Sequence, residues 1–263
     1  MPVADEETIV ATLRAAGCVF AEEEARLLIE SAPTPARLDE MVAERAGGVP
    51  LEHVLGWAEF CGERILVRPG VFVPRHRTEL LVRLAVAAIG ELPGSEHRPV
   101  LVDLACGSGA IAAVVASRVG DLSVYAADIE PAAVAVASRN LAPYAGQVFE
   151  GDLFDALPAE LRGRVDVLVA NVPYVPTDAV DLLPPEARDH EPLRALDGGA
   201  DGLDVLRRVA DGAAGWLREG GTLLSEIGVG QIDAAKAALS HAGLAPEVVA
   251  DDDLDATVIL GRR

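Results

Sequence analysis

The chain has 263 residues, 51% apolar and 24% charged, so at roughly 150 residues per domain it holds one large globular unit with or without a small companion and is neither disordered nor fibrous. Its formal charge of −20, from 22 basic and 42 acidic residues, repels phosphate backbones and disfavours nucleic acid as a partner. Three cysteines, Cys18, Cys61 and Cys106, lack CxxC spacing and point to neither a disulfide framework nor a zinc site; with an acidic start and no apolar run near about 18 residues, a cytoplasmic protein without membrane span is expected.

From Glu6 to about Gly47 the apolar residues fall at helical spacing in three groups: Ile9 and Leu13; Phe20, Ala25, Leu28 and Ile29; Leu38, Met41 and Val42. Gly17, the Ser31 to Pro35 stretch and Gly47 to Pro50 separate them, which predicts a small helical N-terminal unit over 1–55. Two short extended runs, Ala58 to Cys61 and Ile65 to Val67, reverse at Gly62 and predict a hairpin linker over 56–76. A second domain is expected over 77–263, opening with a helix at Leu80 to Ile89 that stops at Gly90 and Pro93.

Strand-like and helical runs then alternate. Val100 to Leu104 is followed by a helix at Ala110 to Val119, Ser123 to Ala127 by one at Pro131 to Asn140, and the strands Gln147 to Glu150 and Val165 to Ala170 come next. After a Pro-rich loop the pattern predicts a helix at Leu203 to Leu217, a strand at Gly221 to Glu226, a helix at Gln231 to Ala242, and extended runs at Pro246 to Ala250 and Thr257 to Leu260. Repeated βαβ signals make this an α/β fold with a mainly parallel sheet, which binds ligands at the carboxyl ends of its strands.

Four strand ends carry groups with chemistry. Asp103 ends the first and runs into Ala105-Cys106-Gly107-Ser108-Gly109, a turn whose glycines let the backbone bend tightly and approach a ligand, as in the G-x-G-x-x-A pattern of dinucleotide proteins. Asp128, 25 positions later and followed by Ile129, can accept ribose hydroxyls, a spacing that suits NAD and S-adenosylmethionine equally. Asp152 after the third strand can bond an adenine amino group while Leu153 flanks the ring. Asn171-Val172-Pro173-Tyr174 follows the fourth: the X-Pro unit keeps the backbone extended, the Asn171 side-chain oxygen and the Val172 carbonyl can accept the two N–H groups of an amide, and Tyr174 can pack on its flat face. His53, His76, His97, His190 and His241 show no ligand spacing, so no metal is expected.

On these motifs the chain resembles the HemK/PrmC-like protein-(glutamine-N5) methyltransferases, a family within the class I S-adenosylmethionine-dependent methyltransferases. The match also takes in Val73-Pro74-Arg75-His76-Arg77-Thr78-Glu79, Glu191-Pro192, Ala195 to Gly199, Asp201-Gly202-Leu203, and Glu226-Ile227-Gly228 with Gln231. The resemblance implies a Rossmann-like seven-stranded mixed sheet whose last strand is antiparallel, with S-adenosylmethionine held by Ala105 to Gly109 and Asp128 near Leu153. It further implies a target glutamine amide oriented by Asn171 to Tyr174, and a protein partner with an exposed glutamine, such as a peptide-chain release factor. Three departures stand out: Val172 replaces a usual proline, His76-Arg77 stands where Pro-Glu is common, and the acidic loop Asp251 to Thr257 lacks a usual arginine. Three other readings stay open: a nucleic-acid amino-group methyltransferase, a NAD-dependent oxidoreductase that would leave Asn171 to Tyr174 idle, and a cofactor-binding protein without catalysis.

Overall fold

The computed structural model describes residues 5–92 and 98–263; Pro93 and His97 lie outside the described residues. Helices α1 (Glu6–Ala15), α2 (Ala21–Ser31) and α3 (Pro35–Ala46) form where the periodicity places them, and a short fourth helix, α4 (Leu51–Leu55), follows Pro50. The Asp5 side chain accepts from Thr8 N at 2.8 Å and that of Thr34 from Arg37 N at 3.2 Å, so two helices start on side-chain caps. Ile9, Leu13, Ala25, Leu28, Leu38 and Met41 pack together with Val54 from α4. Phe20, expected among these, is instead exposed beside Val19, because it stands at the N-cap of α2 where the chain turns outward.

The hairpin pairs β1 (Trp57–Phe60) with β2 (Glu63–Leu66) in antiparallel register across Gly62. Then come α5 (Glu79–Gly90), β3 (Val100–Leu104), α6 (Ala110–Val119), β4 (Ser123–Asp128), α7 (Pro131–Leu141), β5 (Gln147–Glu150) and β6 (Val165–Ala170). The Pro-rich segment, expected as plain loop, contains 3-10 turns and a short α8 (Pro185–His190), since Pro184 and Pro185 preset the dihedral that starts a helix. The chain closes with α9 (Asp204–Trp216), β7 (Leu217–Glu226), α10 (Ile232–His241), β8 (Ala245–Asp251) and β9 (Ala256–Arg262). β7 begins earlier than the expected Gly221: Leu217 pairs with Val165, the register shifts, and regular pairing resumes at Thr222 opposite Val167.

Seven strands form one sheet in the order β5-β4-β3-β6-β7-β9-β8, parallel except for β9, which runs antiparallel to both neighbours. Side chains from α5 and α6 cover one face, and those from α9 and α10 the other. Winding proceeds from β3 toward β4 and β5, then returns to place β6 on the other side of β3. The loops leaving β3 and β6 therefore diverge, and this reversal is where open α/β sheets form their ligand crevice. The Ala105 to Gly109 turn and the Asn171 to Tyr174 segment occupy these two strand ends.

The helical unit is tied to the segment after that crevice by a buried cation. Arg45 donates through Nε to Glu24 Oε2 at 2.5 Å and through Nη1 to Glu186 Oε1 of α8 at 2.6 Å. A second pair, Arg75 Nη2 to Glu191 at 2.7 Å, fixes the end of α8 to the stretch after the hairpin, where Glu191 also accepts from Val73 N. The acidic loop after β8 is a hairpin turn held to α5 through an Arg83–Asp251 ion pair. Among the described residues no helix is long and apolar enough to cross a membrane.

Candidate active site

An open cleft lies at the carboxyl ends of β3, β4, β6 and β7. Its walls include Ala105 to Ser108, Asp128, Ile129 and Asn171 to Tyr174, so residues predicted from three separate strand ends meet here. Phe72, Thr78, Leu196 and Glu226 also line it.

The glycine turn divides its labour. Gly107 lines the cleft in a left-handed conformation (φ 54°). Gly109 does not line it: a Cβ there would stand 3.1 Å from Ala137 Cβ and 3.2 Å from Ala137 Cα, so its role is to let α7 pack against the turn. Asp128 accepts from Gly107 N at 2.8 Å and Glu130 N at 2.9 Å and thus holds the turn while the remaining lone pairs of its carboxylate stay available. Burial raises the Asp128 carboxyl above the usual range, against the pull of those two N–H groups.

Asp103 is fully buried beneath the turn rather than on the cleft wall. Its Oδ2 accepts from Ala112 N at 3.3 Å, whereas Oδ1 is buried without a partner. Burial, with a contribution from the Asp128 charge, pushes its carboxyl up to about 7. The Cys106 thiol is raised well above its ordinary value by burial and by the same two carboxylates, so it stays a neutral packing group and not a nucleophile.

Asp152 and Leu153 are not among the lining residues. Asp152 Oδ2 accepts from Arg208 Nη2 of α9 at 2.7 Å, and Phe154 stacks on Trp216 with ring centroids 5.6 Å apart. These two contacts tie the residues on either side of Leu153 to α9, and the Leu153 backbone between them is left-handed (φ 49°).

The Asn171 to Tyr174 segment is held from both sides. Gln231 Nε2 donates to the carbonyls of Tyr174 and Asp201, each at 2.8 Å. Gly202 packs so closely beneath that a Cβ would lie 2.2 Å from the Tyr174 carbonyl oxygen, which explains why the Asp201-Gly202 pair belongs with the Asn171 motif. Val172 is buried among Leu104, Ala170 and Leu203, an apolar position that accepts valine in place of proline. The Tyr174 hydroxyl donates to Glu226 Oε1 at 2.7 Å and accepts from Arg77 Nε at 2.8 Å; burial and the Glu226 charge raise its pKa, so the phenol is neutral. Arg77, one of the departures noted above, also pairs directly with Glu226 at 2.8 Å.

Thr78 and Glu226 are the site residues that sequence reasoning left without a role. Both stood inside quoted motifs, but 148 positions separate them and only folding shows that they touch. Among the described residues no group of three or more His, Cys, Asp and Glu could hold a metal ion.

Residues 64–183 match the methyltransferase small domain family. A ribosomal protein L11 methylase from Lactobacillus delbrueckii subsp. bulgaricus superposes with a TM-score of 0.53 at 18% identity, covering 77% of this chain and 86% of that one. The fold is therefore that of the class I methyltransferases. A release factor glutamine methyltransferase from Moorella thermoacetica is 43% identical over 81% of this chain and 74% of its own length. A 4-amino-L-phenylalanine/4-methylamino-L-phenylalanine methyltransferase from Streptomyces pristinaespiralis is 36% identical over 80% of this chain and 72% of its own. The chain belongs to the release factor glutamine methyltransferase family.

Proposed function

We propose that the protein transfers a methyl group from S-adenosylmethionine to the side-chain amide nitrogen of a glutamine in a peptide-chain release factor. The observation that carries this reading is the buried, unpartnered Oδ1 of Asn171 on a residue of the cleft wall. An orphaned acceptor costs about 1–3 kcal/mol, and a ligand N–H placed against it would offset that cost.

The residues present fit the cofactor. The bare backbone of Gly107, which lets a ligand approach the turn closely, the Asp128 carboxylate and the half-exposed Ile129 side chain would hold it, and it supplies an electrophilic methyl carried on sulfur. An amide nitrogen is a poor nucleophile because its lone pair is delocalised, so alignment is what the protein contributes. Asn171 Oδ1 and the Val172 carbonyl would accept the two N–H groups and Tyr174 would pack on the amide plane, which orients the nitrogen for attack on the methyl that the cofactor would supply. Fixing two reactants in attack geometry supplies on the order of 7–11 kcal/mol. The nitrogen gains the methyl and sheds one proton to solvent; Tyr174, neutral and already donating to Glu226, is no base.

Asp128→Ala removes the charged acceptor for the ribose hydroxyls and is expected to weaken S-adenosylmethionine by about 1.5–3 kcal/mol, read by calorimetric titration. An affinity equal to wild type would remove Asp128 from the cofactor site.

We assign the helical unit over 1–55, joined through the 56–76 hairpin to the methyltransferase domain over 77–263, to recognition of the protein target. Val19 and Phe20 offer it an adjacent pair of exposed large apolar side chains. Replacing both with serine is expected to raise KM for the intact release factor about tenfold and to leave kcat on a short glutamine peptide unchanged. An unchanged KM would take recognition away from this pair.

The deciding experiment is incubation with labelled S-adenosylmethionine and a release factor from the same organism, followed by mass spectrometry of the modified peptide. Methylation on a glutamine supports the reading. Label on 4-amino-L-phenylalanine but not on the release factor would keep the methyltransferase and overturn the substrate, and binding of NAD in place of S-adenosylmethionine would overturn both.

A further inference from the structure

Behind Asn171 two nearly fully buried polar side chains meet, Thr78 at 3% and Glu226 at 2% exposure. Thr78 Oγ1 donates to Glu226 Oε2 at 2.8 Å. The other carboxylate oxygen takes the Tyr174 hydroxyl and Arg77 Nε, so Glu226, ion-paired with Arg77, acts only as an acceptor. A hydroxyl has one hydrogen, and that of Thr78 is committed to the carboxylate. Toward its other neighbour, the Asn171 side chain, the Thr78 oxygen can therefore only accept, and it receives Nδ2 across a long 3.4 Å contact.

Donation thus runs one way, from the Asn171 amide to the Thr78 hydroxyl to the Glu226 carboxylate. An amide turned over would bring Oδ1 against the lone pairs of Thr78 and present N–H groups where an acceptor is needed. We propose that Thr78 and Glu226 are positioning residues that lock the Asn171 amide with its oxygen reserved for the N–H of the methyl acceptor. The functional half of this inference rests on the amide-methylation reading above; the lock itself is a property of the protein alone.

The chain contains two asparagines, Asn140 and Asn171. Selective ¹⁵N-asparagine labelling therefore gives two side-chain amide pairs, with Asn140, bonded to the Leu66 and Ser108 carbonyls, as an internal reference for the fold. Thr78→Val is expected to shift the Asn171 pair and leave that of Asn140 in place. The same variant should lower kcat about 10- to 100-fold, with KM and cofactor affinity within about threefold of wild type. Thr78→Ser, which keeps the hydroxyl, restores both the spectrum and kcat. In an Asn171→Ala background Thr78→Val costs nothing further, because the residue acts through that amide.

Glu226→Gln supplies a second route to the same test: its amide can donate to Thr78, reverse the chain and shift the Asn171 pair as Thr78→Val does. The proposal is overturned if the Asn171 signals stay unmoved in Glu226→Gln, or if Thr78→Val costs as much without Asn171 as with it. A wild-type protein that methylates no glutamine would defeat the substrate reading alone, since the amide spectra decide the lock without turnover.

Discussion

Asn171→Ala is expected to lower kcat by about 10²-fold or more while S-adenosylmethionine affinity changes by less than a few-fold and Tm does not fall. The three readouts separate because of the way the side chain is held. Its Oδ1 has no partner, and its Nδ2 makes one long contact to Thr78, so truncation removes little that stabilises the fold. What it removes is an acceptor that only the methyl-accepting group would use, and misplacing a nucleophile by about 1 Å is enough for a hundredfold loss. Near-normal turnover would reject the orienting role. A large fall in cofactor affinity would move Asn171 to the cofactor side of the cleft.

The same residues show how far sequence carries the argument. The strands β3 and β6 and helix α6 begin and end at the positions that hydropathy predicts, because each is a buried apolar run bounded by a turn. Alternation of strand and helix then placed the Gly107 turn, Asp128 and Asn171 at strand ends, and strand ends of an open sheet converge. Asp152 illustrates the limit. Its position after a strand predicts an adenine contact; what sequence does not show is that the turn it starts is tied to α9 by Arg208 and by the Phe154–Trp216 stack, partners 56 and 62 residues away that no local pattern announces. Gly109 looked like a ligand contact and is a packing contact, since the same absence of a Cβ serves either purpose. The Thr78–Glu226 pair was illegible for a related reason: its meaning is a direction of hydrogen-bond donation, and direction depends on which atoms meet. His76-Arg77 read as a departure from the family pattern, and in the fold Arg77 supplies the cation that Glu226 pairs with.

Asp103→Asn is expected to stabilise the cofactor-free protein, by an amount that grows with pH. In the folded protein this carboxyl titrates at about 7, against 3.8 ordinarily, because it is fully buried and stands near Asp128. A folded pKa above the unfolded one means that the group's contribution is intact below about pH 4, declines as the pH rises, and is lost once the pH passes about 7. The accumulated penalty is on the order of 4 kcal/mol, which for a chain of this size corresponds to roughly 10 °C in Tm. Asparagine keeps an acceptor for Ala112 N and carries no charge to bury, so its Tm should exceed that of wild type by several degrees at pH 8 and match it near pH 4. A gap independent of pH would show that Asp103 is not the titrating group. The cofactor is expected to reverse the preference: a ligand with a sulfonium and an ammonium bound above the turn favours an ionised Asp103, so Asp103→Asn should bind S-adenosylmethionine less tightly at pH 8 than wild type does. A buried carboxylate with these two effects would tie the stability of the fold to cofactor binding, with its unpaired Oδ1 beneath the turn.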